Sequence, residues 1–198
     1  DPRKYYTGRS PLEAASSGVT LGPGDVAFRC NLVTLKVAGA GSAAEHRRTF
    51  LMEDFSAGHI ATSEARMLIE EIGCKLGTEH IRFYPGVSYR HLMVWKGGKD
   101  RIDCTPPHDI QDKDIQDYLP RGEGDDIINE LMEASFDILT NHPVNKGRLE
   151  AGRRAANSIW LWGQGKRPSM PTFREKYGLE GAVISAVDLT KGLGVYAG

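Results

Sequence analysis

The sequence predicts an α+β fold: a mostly antiparallel four- to five-stranded sheet with helices packed on one face, plus a terminal strand–helix stub of an α/β sheet. Three observations predict it. Short β-branched and apolar runs come in neighbouring pairs divided by glycine or proline. Two segments carry apolar residues at helical spacing, giving each a single apolar stripe. Ala182–Val187 is uniformly small and apolar, as a strand covered on both faces would be.

The elements follow in order. Residues 1–25 hold Gly8, Pro11, Gly18, Gly22, Pro23 and Gly24, and read as a loop with one short helix over Pro11–Ser17 capped by Ser10. Val26–Val37 is a strand, Ala38–Glu45 its turn, and Arg48–Phe55 a second strand paired with the first as a hairpin. Thr62 or Ser63 caps a helix over 63–76, with Glu64 in its first turn and Ala65, Leu68, Ile69, Ile72 and Leu76 on one face; Gly77 ends it. His80–Tyr84 and Val87–Trp95 are strands flanking Pro85-Gly86, and Gly97-Gly98 closes the second. Residues 99–123 read as loop. Asp125 or Asp126 starts a long helix through Thr140, striped by Ile127, Ile128, Leu131, Met132, Ser135, Ile138 and Leu139. Pro143 opens another helix, weakened by Gly147 and Gly152. Ser158–Trp162 adds a strand, Gly163–Ser169 reads as a linker, and Asp188 caps a final helical segment from Leu189.

A length of 198 residues allows one substantial domain, or one domain with a stub of another. Hydrophobic residues make up 40% and charged residues 26%, ordinary globular usage. The formal charge of −1 gives no general pull toward nucleic acid or an anionic membrane, so any anion site must be a local cluster. No apolar run approaches the roughly 18 residues of a membrane span, and no signal sequence opens the chain. Cys30, Cys74 and Cys104 fit neither a disulfide framework nor a metal knuckle; they read as small buried hydrophobes in a reducing, cytoplasmic setting. The chain opens at Asp1-Pro2-Arg3-Lys4 and closes just after a helical pattern begins, so both ends read as cuts through a longer protein.

Candidate chemistry lies at strand ends. Arg29 and Asn31 share one face of the first strand, two residues apart. His59 follows the second strand in Ser56-Ala57-Gly58-His59, beside a coming helix N-terminus suited to anions. Arg90 and His91 are adjacent and point to opposite faces unless a bulge intervenes. His108 sits behind the rigid Pro106-Pro107. Arg and His donors of this kind suit a phosphate or carboxylate. Each has a plainer reading: a solvated edge arginine, a cap, a satisfied core histidine. His108-Asp109, with Asp112 and Asp114, reads as a solvated loop or a metal site without the spacing of known motifs. Trp160 and Trp162 are core packing or a stacking platform. Lys146, Arg148, Arg153 and Arg154 read as a solvated basic face. Gly192-Leu193-Gly194 lacks the third glycine of a dinucleotide loop, and no serine or cysteine has the context of an activated nucleophile.

The strings DPRKYYTGRSPLEAASSGV, DVAFRCNLVTL, EDFSAGHIATSEA, RFYPGVSYRHLMVW, CTPPHDI, NHPVN, ANSIWLWGQGKRP and ISAVDLTKGLG are distributed along the whole chain. They resemble the archaeal-type 2,3-bisphosphoglycerate-independent phosphoglycerate mutases of the alkaline-phosphatase superfamily. The resemblance implies a cytoplasmic isomerase of glycolysis interconverting 3- and 2-phosphoglycerate. In such enzymes a metal-held serine takes the phosphoryl group, and an inserted domain closes over the glycerate. No position here matches that serine or the metal ligands, so the implied divalent metal ions (Mn, Mg or Zn) and the nucleophile are expected outside this chain and none within it. The matching positions imply Arg29, Asn31, His59, Arg90, His91 and His108 as substrate-binding residues, with Lys191 as a partner at a domain seam. The implied division is a leading segment 1–24 from the catalytic domain, an inserted lid over 25–168, and a linker returning to the α/β catalytic domain over 169–198. The expected partners are phosphoglycerate and that catalytic domain, with no nucleic acid and no membrane. Other readings keep the superfamily and change the substrate, to phosphonopyruvate or another phosphorylated acid, or make the chain a stand-alone anion-binding module.

Overall fold

The computed structural model describes residues 2–38 and 49–198. Most of the turn expected over Ala38–Glu45 lies outside these. The helices are α1 (Pro2–Tyr5), α2 (Ser10–Ser16), α3 (Thr62–Leu76), α4 (Asp125–Thr140), α5 (Pro143–Glu150), α6 (Phe173–Tyr177) and α7 (Asp188–Ala197). The strands are β1 (Val26–Ala38), β2 (Thr49–Asp54), β3 (Ile81–Val87), β4 (Arg90–Trp95), β5 (Ile102–Asp103), β6 (Arg121–Gly122) and β7 (Ser158–Lys166). Short β5 and β6 pair with each other apart from the main sheet.

The main sheet has five strands, and all its pairings are antiparallel. β1 is its spine. Its first half pairs with β4 and β7, and Thr34–Ala38 pairs with β2, which confirms the expected hairpin. Alternation along β1 builds two different faces. Val26, Phe28, Cys30 and Leu32 are fully buried with Leu68, Ile69 and Ile72 of α3 and Ile128 and Leu139 of α4 in the main core. Ala27 lies on the other face, packed with Ala14, Leu21, Leu92 and Val94. The expectation of helices on one face therefore holds for α3 and α4, while α2 covers part of the second.

Five local expectations need correction. Pro85-Gly86 does not turn the chain; it is a register irregularity inside β3, and the reversal falls at Ser88-Tyr89. There Ser88 (φ 55°) donates through Oγ to Ile60 O at 2.7 Å, and its N–H donates to Thr62 Oγ1 at 3.1 Å. Thr62 is thereby employed elsewhere, and α3 starts without a side-chain cap. Ser10 does not cap α2 either; its hydroxyl donates to Gly163 O at 2.6 Å.

The glycines of the expected 163–169 linker lie mostly in β7. Gly165 is needed because the leading segment crosses β7 backbone on backbone: a Cβ there would run into Thr7 O, and one on Gly8 (φ 143°) into Gln164 O. Finally, Ala182–Val187 forms no strand. Ile184 is 99% exposed, and no neighbouring strand pairs with the segment among the described residues. The expected helix after it is present as α7, lying against α2 where Gly192 meets the Leu12 backbone.

The cysteines divide in the same way. Cys30 is buried and Cys104 partly so, as expected, but Cys74 is exposed on α3. Burial pushes the Cys104 thiol up to about 12 and raises that of Cys30 further. No helix among the described residues is long and apolar enough to cross a membrane.

Candidate functional site

Strand register decides which polar side chains share a face. Asn31 pairs with Arg90, Arg29 with Leu92 and Trp162, and Cys30 with His91. Directly paired residues point the same way, so Arg29, Asn31 and Arg90 stand on the α2 side while His91 goes with Cys30 toward the core.

On the α2 side a continuous constellation forms. Arg29 Nη1 donates to Glu13 Oε1 at 3.1 Å, and Arg9 Nε donates to the same oxygen at 2.6 Å. The Trp162 ring lies 4.9 Å from the Arg29 guanidinium and 6.0 Å from that of Arg9, a cation–π arrangement. Trp162 Nε1 donates to Asn31 Oδ1 at 3.1 Å, and Asn31 Nδ2 donates to Phe55 O at 3.3 Å. The His108 ring stands 5.4 Å from Trp162 and 6.0 Å from Phe55. Phe55 meets Tyr89 at 6.0 Å, and Tyr89 meets His59 at 5.8 Å and the Arg90 guanidinium at 5.6 Å.

Arg29 is the electrostatic centre. It is 4% exposed, and its Nε is buried without a hydrogen-bond partner. Burial pulls its pKa down, the neighbouring charges of Arg9 and Arg90 act the same way, and Glu13 opposes them. Arg9 and Arg29 share one carboxylate and Arg90 adds a third positive charge near Arg29, which leaves this face short of negative charge. An incoming oxyanion would supply both the missing charge and an acceptor for the unpartnered N–H.

His59 stands on an unusual turn. Ala57, Gly58 and His59 have φ of 49°, 65° and 49°, three successive residues in the left-handed region. Asp54 holds it from inside, its carboxylate accepting from Ser56 N, Ser56 Oγ and Gly58 N at 2.7, 2.7 and 2.9 Å and from Arg154 Nη1 at 2.9 Å. Burial alone would raise the Asp54 carboxyl, but these hydrogen bonds and Arg154 hold it below the usual carboxylate range. Arg148, expected on a solvated face, is instead 2% exposed. It is drawn inward by three acceptors: Ala57 O, Arg154 O and Glu64 Oε2.

The structure thus brings together Arg29, Asn31, His59, Arg90 and His108. It leaves out His91, whose Nδ1 accepts from Gly86 N at 2.9 Å and whose burial drops its pKa to about 3. It also leaves out Lys191, which pairs with Asp188 on α7. Sequence reading missed Arg9 and Glu13, which reach the site only because α2 folds across β1 and β7; no local pattern marks them. Trp162 proves to be both core and platform. No three His, Cys, Asp or Glu residues among those described could together hold a metal ion, and His108 with Asp109 is a lone pair at 3.8 Å.

The model of the 2,3-bisphosphoglycerate-independent phosphoglycerate mutase family matches residues 1–145. The chain belongs to that family. It is 58% identical over 198 residues to a Geobacter sulfurreducens protein named "Probable 2,3-bisphosphoglycerate-independent phosphoglycerate mutase", covering 100% of this chain and 48% of the relative. It is 54% identical over 199 residues to the Methanosarcina barkeri 2,3-bisphosphoglycerate-independent phosphoglycerate mutase, covering 100% and 47%. A solved structure of the cofactor-independent phosphoglycerate mutase of Thermoplasma acidophilum superposes with a TM-score of 0.66 at 28% identity, covering 100% of this chain and 52% of that one. The chain therefore spans about half the length of the phosphoglycerate mutases it matches.

Proposed function

We propose that this chain is the substrate-gripping part of a phosphoglycerate mutase that interconverts 3- and 2-phosphoglycerate. Arg29, Asn31, His59, Arg90 and His108, with Arg9, form the cradle for the anionic substrate. The observation that carries this is Arg29: a buried guanidinium with an unpartnered N–H, beside two further arginines and one carboxylate. Phosphoryl transfer depends on positioning and charge stabilisation, and these side chains supply both without a nucleophile of their own. Divalent metal ions and the phosphoryl-accepting serine, which the family resemblance implies, belong in this reading to the half of the relatives' length that this chain does not span.

The proposed division into a leading segment 1–24, a lid over 25–168 and a returning segment 169–198 is supported by the apolar surface at one end. Tyr5, Leu12, Met170, Leu189 and Leu193 line an apolar groove, and Val183, Ile184 and Val187 are exposed beside it. This end is read as the seam with the remaining half.

The test uses the full-length protein that carries this chain. Arg29→Gln and Arg90→Ala should each lower kcat/KM for 3-phosphoglycerate on the order of 10²-fold, the size typical of a lost charge-stabilising donor. Unchanged kinetics in both would remove this face from the site.

A further inference from the structure

The Ala57–His59 turn costs energy to maintain, since two non-glycine residues sit in the left-handed region. Such a conformation persists only when its surroundings over-determine it. Here they do so from two sides. From within, Asp54 gathers the backbone N–H groups of Ser56 and Gly58, and Ser56 Oγ accepts from His59 N at 3.2 Å. From outside, Arg148 Nη2 donates to Ala57 O at 2.7 Å.

Arg148 is itself held rigidly: Nη1 donates to Glu64 Oε2 at 2.6 Å and Nε to Arg154 O at 2.8 Å. Arg154 then closes the ring by reaching back to Asp54. One connected circuit therefore runs Asp54–turn–Arg148–Arg154–Asp54, and a branch ties it through Glu64 to α3. His59 is the side chain this circuit delivers to the Tyr89 ring.

We propose that Arg148 and Asp54 are positioning residues: they clamp the left-handed turn so that the His59 imidazole is held at the anion cradle. The proposal rests on the reading of that cradle as the substrate site. It assigns Arg148, which touches neither the cradle nor any ligand there, a functional role beyond stapling α5 to α3. A lysine at this position keeps the charge, but its donors all leave one nitrogen, so it cannot reach acceptors spread over the Nε, Nη1 and Nη2 positions of Arg148.

The experiment is a double-mutant cycle in the full-length protein, reading KM and kcat for 3-phosphoglycerate in wild type, Arg148→Lys, His59→Ala and the double variant, with Asp54→Asn as a second probe of the clamp. Ring-proton NMR of His59 in this chain is recorded in parallel. Arg148→Lys and Asp54→Asn should each raise KM about tenfold, the size of coupling common between interacting residues. That effect should disappear in the His59→Ala background, and the His59 ring signals should shift and broaden as the imidazole leaves Tyr89. Additive effects, or unmoved His59 signals in both clamp variants, overturn the positioning role while leaving the cradle intact. A His59→Ala variant with wild-type KM overturns the place of His59 in the cradle, and the clamp's role falls with it. Should Arg148→Lys fail to fold, Asp54→Asn decides the question by the same readings.

Discussion

At the scale of residues, a guanidinium and an imidazole one position apart on β4 meet opposite surroundings, because successive side chains of a strand leave opposite faces. Arg90 stays exposed over Tyr89, whereas His91 is 2% exposed and holds only the Gly86 N–H. With Nδ1 accepting, the neutral ring carries its proton on the unpartnered Nε2. A second proton would have to displace the Gly86 hydrogen bond at Nδ1 and would leave His91 with a buried, uncompensated charge. Its pKa falls from 6.5 to about 3, chiefly through burial. The sign follows: between these values the unfolded chain binds a proton that the native state refuses, so stability rises with pH across that window. His91 contributes fully above about pH 6.5, and its contribution declines toward about pH 3, by roughly 1.4 kcal/mol per pH unit. Denaturant midpoints of this chain at pH 7 and pH 5 measure the slope. His91→Gln, which keeps an acceptor for Gly86 and cannot protonate, should flatten it; an unchanged slope would assign the acid sensitivity to other groups.

At the scale of elements, what was legible had strong local causes. α3 and α4 fall within a residue or two of expectation because their apolar stripes repeat over four turns and acidic residues open them. β1 was legible from its run of β-branched and apolar residues, and the alternation of Arg90 and His91 followed from strand geometry alone. The errors share another cause, tertiary demand on small residues. Gly163 and Gly165 look like linker glycines, yet they lie in β7 where the leading segment approaches. Ala182–Val187 has the composition of a buried strand, but no strand among the described residues pairs with it. Arg9 and Glu13 carry no local mark; only the packing of α2 on the sheet brings them to Arg29. From the crossing at Gly8 follows an expectation: Gly8→Ala combines a left-handed φ with a collision against Gln164 O, and should destabilise the chain by about 1–3 kcal/mol. Thermal unfolding reads this directly, and a wild-type midpoint would refute the close crossing.

At the scale of the whole molecule, apolar exposure is unevenly spread. Phe173, Tyr177, Leu179, Val183, Ile184, Val187, Leu193 and Val195 are all exposed, and all lie in the last thirty residues. Soluble monomers rarely leave large contiguous apolar patches open, and the groove lined by Leu189 and Leu193 gathers part of this exposure. If this end is the seam with the remaining half, amide hydrogen exchange over 168–195 should be at least tenfold slower in the full-length protein than in this chain. Equal rates in the two would dissociate the groove from that seam.

The sheet's wiring also has a consequence in time. The hydrogen bond from Trp162 to Asn31 joins residues 131 positions apart, and it lies at the centre of the cradle. On a ribosome, β1 emerges long before β7 exists, so its edge waits unpaired while more than a hundred further residues are made. Loop closure over such a distance is entropically expensive and slow. Arg9 of the leading segment, Arg29 of β1 and His108 of the 104–110 loop can meet Trp162 only when that last strand docks. Under the proposed reading, the anion cradle is therefore a late milestone of folding, acquired with the final strand rather than inherited from an early hairpin.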